Sequence, residues 1–472
     1  MASTQARLTE GSVGRHLVAM AVPVLFGIFT MMLQAFVDMW FIGRVGDREL
    51  AALSFAFPVL MVVTSVAIGL GAGTSSVVAR AIGANNHRRA RRLATDSLIL
   101  SFGITAVICA VGILTIAPLF RLLGAPEDMI PLIAGYMVIL YTGVPFVVVG
   151  MVGMSSMRAT GDTRLPSMLM VLASVINIIL DPILIFGLGP VPEMGLNGAA
   201  LAALLARAAI FIGTVYFMKM RLDLLTFNKP DRAELISSWR DILHVGIPAA
   251  GTNAIIPIAT GVITAMLARY GPETVAGFGV ASRVESLTLV MYYALSAVIG
   301  PFVGQNISAN RSDRIYRALW LCTVFCIVTG LMIAAGLALA ANWLPALFSD
   351  NPEVVGVGAL FLTIVPLSYG AYGMVMIMNA SFNGIGKPMP AVHISVGRMV
   401  LIYIPIAFLL DRFFGVAGIF AAYMIANVVT GVISYVWARA SVQAQCDAHA
   451  VPVEPIADDG GQAGIAVSTR AR

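Results

Sequence analysis

The stretches that carry no charge decide what this chain can become. Residues 98–119 and 319–347 each run without an Asp, Glu, Lys or Arg, and about 20 predominantly apolar residues suffice to cross a bilayer as a helix. Comparable runs recur through most of the chain. Hydrophobic residues make up 59% of it and charged residues 11%, against about 25% charged in an average soluble domain. No water-soluble fold hides that much apolar surface, so the expected class is an all-α membrane protein. The polar start, residues 1–15, leads into an apolar run from Leu17 that outlasts a signal-peptide core and shows no cleavage pattern, so the first helix is expected to stay. Cys109, Cys322, Cys326 and Cys446 are scattered. They suggest no disulfide framework, and Cys322 and Cys326, one turn apart without His or acidic neighbours, read as packing residues.

Spans of membrane length place twelve helices near 16–42, 51–79, 94–119, 129–156, 166–187, 196–218, 242–268, 276–303, 315–341, 353–380, 389–410 and 415–438. Their loops alternate in charge. One set holds Arg80, Arg88, Arg89, Arg91 and Arg92, then Arg158 and Arg164, then Lys219 to Arg240, then Arg311, Arg314 and Arg317, then Lys387; the other holds only Arg44, Arg48, Arg121, Arg269 and Arg412. Basic loops stay in the cytoplasm, which puts the protein in the cell membrane as a multi-pass chain with both termini cytoplasmic. The net charge of +5 is spread over these loops and calls for no nucleic-acid partner. Residues 439–472, rich in Pro, Gly, Asp and Ala, are expected to be a disordered cytoplasmic tail.

Shifting the chain by 225 positions lays Pro23 on Pro248, Arg44 on Arg269, Gly46 on Gly271, Arg89 on Arg314, Arg92 on Arg317 and Gly161 on Gly386. Gly195-Leu196-Asn197-Gly198 meets Gly415-Val416-Ala417-Gly418 after a small gap. The expected organisation is therefore two pseudo-symmetric lobes of six helices, residues 1–220 and 242–438, joined by a charged cytoplasmic linker, 221–241. An even number of helices per repeat relates the lobes by an axis along the membrane normal, an arrangement of carriers more than of channels.

The segments Ala79-Arg80-Ala81-Ile82-Gly83-Ala84 and Val303-Gly304-Gln305-Asn306-Ile307-Ser308-Ala309, with Phe36-Val37-Asp38, Gly43-Arg44-Val45-Gly46 and Asn177 to Pro182, resemble motifs of the multidrug and toxic-compound extrusion (MATE) family in order and spacing. The resemblance covers all twelve helices. It implies a V-shaped pair of lobes and a secondary active antiporter that exports small amphipathic or cationic organic compounds in exchange for H+ or Na+. A flippase for a lipid-linked oligosaccharide, from the same superfamily, is the alternative; such flippases tend to carry extra helices and cationic cavities. Major-facilitator carriers share the helix count but not the loop after helix 2, which here reads Ala84-Asn85-Asn86-His87-Arg88-Arg89. Enzyme chemistry finds no Ser/His pairing, His-Glu metal motif or nucleotide loop.

Four acids fall within expected helices: Asp38, Asp96, Asp181 and Glu285. A carboxylate at the bilayer centre costs at least about 2.5 kcal/mol on insertion scales, so each needs a partner, water or a proton. Asn177 and Asp181, four apart, share one helix face, and together with Asp38 they are the candidate cation-coupling residues. Under the repeat Asp38 meets Ile263 and Asp181 meets Ile406 or Leu401, so these acids belong to the N-terminal half alone. That favours an ion site over a scaffold requirement. Burial favours the neutral acid, so Asp38 or Asp181 takes up a proton from outside. The helices then bend at Pro23 and Pro182, the candidate hinges, which lack a backbone donor, though a static kink at either is as good a reading.

No metal is expected beyond a possible Na+ at Asp38, Asn177 and Asp181, and no cofactor. In many family members helix 6 supplies a hydroxyl near this site, whereas Ala199 to Ala206 holds none, which tilts the expected coupling ion from Na+ towards H+. Asp96 reads as a surface ion pair or helix-start contact with Arg91 or Arg92. Glu285 reads equally as a partner of Arg398 or as a cationic-substrate site, and Arg207 has no assigned partner. Phe36, Trp40, Glu285, Tyr292, Tyr293, Tyr369, Tyr372 and Met376 are candidates to line the substrate cavity, since aromatic and Met side chains repack around varied guests; plain helix packing is the competing reading for each. The expected partners are small organic substrates and the lipid bilayer, with the chain acting as a monomer.

Overall fold

A computed structural model describes residues 6–450 apart from Gly189 and Pro230. Its helices are α1 Val13–Val45, α2 Asp47–Gly83, α3 His87–Leu114, α4 Ile116–Leu122, α5 Ile130–Ala159, α6 Arg164–Phe186, α7 Gly195–Met220, α8 Arg232–Leu267, α9 Pro272–Thr288, α10 Val290–Ser308, α11 Ser312–Leu339, α12 Trp343–Ala346, α13 Pro352–Ile364, α14 Tyr369–Ile385, α15 Met389–Val396, α16 Ile404–Phe414 and α17 Val416–Ala450. Eleven spans are long and apolar enough to cross a membrane, and α9 with α10, bent by 44° at Leu289, makes the twelfth. The expected all-α membrane fold is what the chain forms.

Helix ends differ from the sequence expectation where charge was taken as a stop signal. Among the described residues the linker is irregular only at 221–229 and 231, because α8 starts at Arg232 inside the stretch expected to be a loop. There Ser238 and Ile242 turn inward and Trp239 Nε1 donates to Asp96 O at 3.3 Å. At the other end α17 continues through Arg439 to Ala450, a stretch of Ala and Gln that sustains a helix. The expected disordered tail is thus helical up to Ala450, and residues 451–472 lie outside the described residues.

The repeat is visible in the backbone. Asn85 and Asn310 both take a left-handed conformation, with φ of 55° and 56°, and Gly161 and Gly386 match at 89° and 87°. The two glycines end α5 and α14, where an L side chain would be strained. Symmetry fails inside the C-terminal half. Span 8 breaks at Leu289, span 10 passes through a 3-10 turn at Val365–Ser368 containing Pro366, and span 11 through a π-helical turn at Gly397–Tyr403. These three were expected to be continuous helices. Their N-terminal counterparts α2, α5 and α6 are continuous, and α1 and α6 run unbroken across Pro23 and Pro182.

The halves meet at the arginine-rich end. Gly69 and Gly73 of α2 lie against Gly246 of α8, Gly83 lies against the Gln305 carbonyl of α10, and Gly304 against Ala79. Glycine is required for these close approaches. Ser76 Oγ donates across the boundary to Asn383 O at 2.5 Å. The Arg80 guanidinium covers Gly386, where an added Cβ would lie 2.6 Å from Nη1. Among the described residues, the hydrogen bonds found between the two halves all lie at this end. Gly83→Val is expected to destabilise the protein by about 1–3 kcal/mol, the usual cost of overpacking, seen as a lower melting midpoint in detergent.

The first half is also not a closed unit. Val13, Leu17, Met20 and Val24 of α1 belong to the hydrophobic core of the C-terminal half, and Ile242 of α8 belongs to that of the N-terminal half. The inner ends of α1 and α8 thus each pack in the core of the opposite half.

Candidate ion-coupling site

Near the end opposite the arginines, α1 and α6 lie side by side and each presents a polar ladder. On α1 the amide Gln34 stands one turn before Asp38, and its Nε2 donates to Asp38 Oδ2 at 3.4 Å. On α6 Asn177 stands one turn before Asp181, and its Nδ2 donates to Asp181 Oδ1 at 3.2 Å. Gln34 Nε2 also donates to Asn177 Oδ1, which joins the two ladders. Four-residue spacing stacks each pair on one face of its helix.

Asn177 and Asp181 are 0% and 1% exposed, and the two carboxyls interact directly with one another. Asp38 Oδ1 and Asp181 Oδ2 are buried without a hydrogen-bond donor. Two ionised carboxylates held this close repel one another, and a proton or a cation between them would relieve the repulsion. The three residues expected to form this site are thus brought together.

Three further side chains complete the surroundings. Gln34 could have been found from its spacing to Asp38. Tyr136 of α5 and Arg207 of α7 could not, because nothing local marks them. The field of Asp38 and Asp181 reaches Tyr136, and the charge of Arg207 acts on Asp38 and Tyr136. Arg207 lies on the α7 face that packs on α5, its Nη1 4.0 Å from where a Cβ on Gly143 would be. It makes no ion pair within 4.0 Å among the described residues. Its positive charge is therefore left to act on the acid pair at longer range.

The sequence profile of the MatE family matches residues 23–183 and 248–409, one copy in each half. The chain belongs to the MatE family. It is a multi-pass membrane transporter, not an enzyme. A MATE transporter of Vibrio cholerae, VcmN, in a mutant form, superposes with a TM-score of 0.88 at 30% identity, over 92% of this chain and 97% of that one. Among curated relatives, an FAD transporter of Shewanella oneidensis is 38% identical over 92% of this chain and 96% of its own length. A probable multidrug resistance protein NorM of Thermotoga maritima is 26% identical over 88% and 89%.

In this MATE chain the broken spans of the C-terminal half surround a second polar cluster. Arg398, in the π-helical turn, donates from Nη1 to Asn427 Oδ1 at 2.8 Å and lies over the Tyr372 ring at 4.6 Å. Asn427 Nδ2 donates in turn to Ser368 Oγ at 3.0 Å. Glu285 shares this cluster, but the Glu285–Arg398 ion pair, one of its two readings from sequence, does not form within 4.0 Å. Arg398 is held by an amide and an aromatic face instead, and Glu285 Oε1 is left buried without a donor. Irregular backbone at membrane depth is tolerated where protein satisfies it, and Ser368 Oγ donates to Val365 O of the 3-10 turn at 2.8 Å.

The candidate cavity lining divides. Phe36 and Trp40 are 43% and 54% exposed on the outer half of α1, Trp40 beneath the Arg44 guanidinium at 4.0 Å. Tyr293 and Met376 are half-buried, and Tyr372 is nearly enclosed under Arg398. Tyr292 and Tyr369 are 0% exposed and line nothing. Gly330 and Gly373 open a slot into which Tyr292 packs towards α11, its hydroxyl 3.1 Å from Thr329 Oγ1. An apolar cavity of about 310 Å³ that the sequence did not suggest lies between the halves, lined by Leu25, Phe26 and Phe29 of α1 and by Leu287, Thr288, Val290 and Met291 around the α9–α10 break. Asp96 proves to be buried rather than superficial: Arg92 Nε donates to its Oδ2 at 2.9 Å, with side-chain exposures of 7% and 0%.

Proposed function

We propose that this chain is a secondary active exporter of small organic molecules, driven by protons that enter the Asp38–Asp181 pair. The observation that carries the reading is the paired, buried carboxyl oxygens that lack a donor. A proton between them removes the repulsion without needing a coordination shell. Na+ would need several further oxygens, yet Asn177 Oδ1 is already engaged by Gln34 and the nearest fixed charge is the cation Arg207. With both acids ionised, the ladders of α1 and α6 carry two negative charges; one proton shared between the carboxyls leaves a single charge and removes their mutual repulsion, so the ladders can pack closer. Pro23 and Pro182 are the places where α1 and α6 can yield.

The arginine-rich end is assigned to the cytoplasm from its charge, so both termini lie inside and the closed end faces the cell interior. The chain acts as a monomer on this reading. The cargo has three readings. An amphipathic cation suits the two acids of the outer N-terminal half and the exposed Phe36 and Trp40. An anionic aromatic compound is favoured by the relative named an FAD transporter and by the guanidiniums of Arg207, half-buried, and Arg398, buried. A lipid-linked oligosaccharide, carried by a flippase, is the third cargo class.

Everted vesicles test the central claim. With the proton and sodium gradients collapsed independently, efflux of a cationic dye and of a flavin nucleotide is expected to stop with the proton gradient and to ignore sodium. Efflux indifferent to both gradients would overturn ion coupling, and movement of labelled lipid-linked sugar alone would favour the flippase.

A further inference from the structure

The two halves close the arginine-rich end with equivalent arginines that grip different things. In the N-terminal half Arg89, at the start of α3, holds the first turns of α8: Nη1 donates to Ser238 Oγ at 3.0 Å and Nη2 to Asp241 Oδ2 at 3.1 Å. The repeat of Arg89 is Arg314, at the start of α11, and it holds the short segment that leads into α1. Arg314 is 6% exposed. Its Nη1 donates to Gly11 O at 2.6 Å, its Nη2 to Leu8 O at 2.9 Å and Glu10 O at 3.0 Å, and its Nε to Asn306 Oδ1 at 3.0 Å.

The residues beside it close the grip. Asn306 Nδ2 donates to Leu8 O at 3.2 Å. Gln305 accepts from Leu8 N at 3.2 Å and donates to Ala159 O, the last residue of α5, at 2.7 Å. One side chain thus joins the leading segment, α10 of one half and α5 of the other. Leu8, 2% exposed, fills the space against Gly161.

α1 carries this grip to the coupling site. Its inner end packs in the C-terminal core through Val13, Leu17, Met20 and Val24. From Gly27, which meets Met170 of α6, it runs with the N-terminal half, and Gln34 binds Asn177. Pro23 stands at the change-over. The helix is 33 residues, roughly 50 Å at 1.5 Å per residue, and it is the element that touches both the acid pair and the seat of Arg314.

We propose that Arg314, with Gln305 and Asn306, is the latch through which occupancy of the acid pair controls the arginine-rich end. This rests on the reading that Asp38 and Asp181 bind the coupling ion. Protonating the pair lets the outer part of α1 shift against α6, and because α1 runs unbroken across Pro23 the helix pivots there and passes the shift to residues 8–11. A buried guanidinium that loses its carbonyl acceptors is costly, so the leading segment is either seated or fully released, which makes the switch two-state rather than graded. Arg314 is a positioning residue: it touches neither cargo nor ion.

The test uses the full chain in lipid nanodiscs, its four cysteines replaced, with spin labels at Arg88→Cys and Arg317→Cys, one in each half and both exposed. Pulsed dipolar spectroscopy then reads how far the arginine-rich end is closed. In the otherwise native chain a short-distance population is expected, and Asp38→Asn, which mimics the neutral acid, should deplete it. Arg314→Gln should deplete the same population, remove the response to Asp38→Asn and lower proton-driven efflux by about tenfold. Leu8→Ala leaves every hydrogen bond of Arg314 in place and should shift the population in the same direction by less, which keeps the test sound if Arg314→Gln folds poorly. An Arg314→Gln or Leu8→Ala protein with the native distances and the native response to Asp38→Asn would overturn the latch. If the native chain ignored Asp38→Asn while Arg314→Gln still opened the end, the coupling reading would fail instead, and with it the link from the acids to the latch.

Discussion

Asp38→Asn is expected to reduce proton-driven efflux by about 100-fold, the upper part of the range of coupling energies between linked sites, while the protein still folds and inserts. The asymmetry follows from the hydrogen bonds. Asn keeps a carbonyl oxygen that can accept from Gln34 Nε2, as Asp38 Oδ2 does at 3.4 Å, so the bridge between α1 and α6 survives. What disappears is the second carboxylate, and with it the repulsion that gives a proton something to relieve. Asp181→Asn should act alike, because Asn177 can be satisfied by the amide oxygen as it is by Asp181 Oδ1. Phe36→Ala, on the exposed face of the same helix, should change cargo affinity rather than gradient dependence. The measurement is efflux from everted vesicles at equal expression, followed as the proton gradient is stepped down. An Asp38→Asn transporter whose efflux still tracks the gradient would sink the assignment.

Arg92→Ala is expected to cost about 3–5 kcal/mol, because it leaves the Asp96 carboxylate buried without its cation. Asp96 is 0% exposed, and Arg92 also donates from Nη1 to Asn228 O at 2.9 Å, so one substitution loosens the seat of α3 and of the loop before α8 together. Replacing both charges by apolar groups of similar volume, Arg92→Met with Asp96→Leu, should recover most of the loss, since the penalty lies in the orphaned charge more than in the missing attraction. Thermal unfolding in detergent, compared across the single and double variants, reads the difference. A double variant as unstable as Arg92→Ala would mean that the bond to Asn228, not the ion pair, holds this corner.

The candidate coupling site was legible to the extent that its parts obey helical spacing. Asn177 and Asp181 share a face at i and i+4, and Asp38 stood out as a carboxylate in an apolar run absent from the other repeat. Gln34 follows the same spacing and could have been read. Tyr136 and Arg207 come from α5 and α7, and only packing decides which turn of those helices meets the acids. In the C-terminal half the broken spans carry little local warning. Pro366 marks one of them, but Leu289 has no Pro or Gly beside it, and at Gly397–Tyr403 only Gly397 and Arg398 interrupt the apolar pattern. Sequence pattern therefore placed Tyr292 and Tyr369 in a cavity, whereas glycines on neighbouring helices draw Tyr292 into a packed slot.

The number of spans, the sidedness of charge and the internal duplication were determined by the sequence alone. They depend on transfer between water and hydrocarbon and on helical period, which are sums over neighbouring residues. Which half each end of α1 belongs to, how Arg398 is satisfied without Glu285, and the grip of Arg314 on Leu8, Glu10 and Gly11 across some 300 residues of chain were decided by tertiary structure. Such contacts form between residues distant along the chain, where a single interhelical packing angle chooses among partners that the local sequence leaves equivalent.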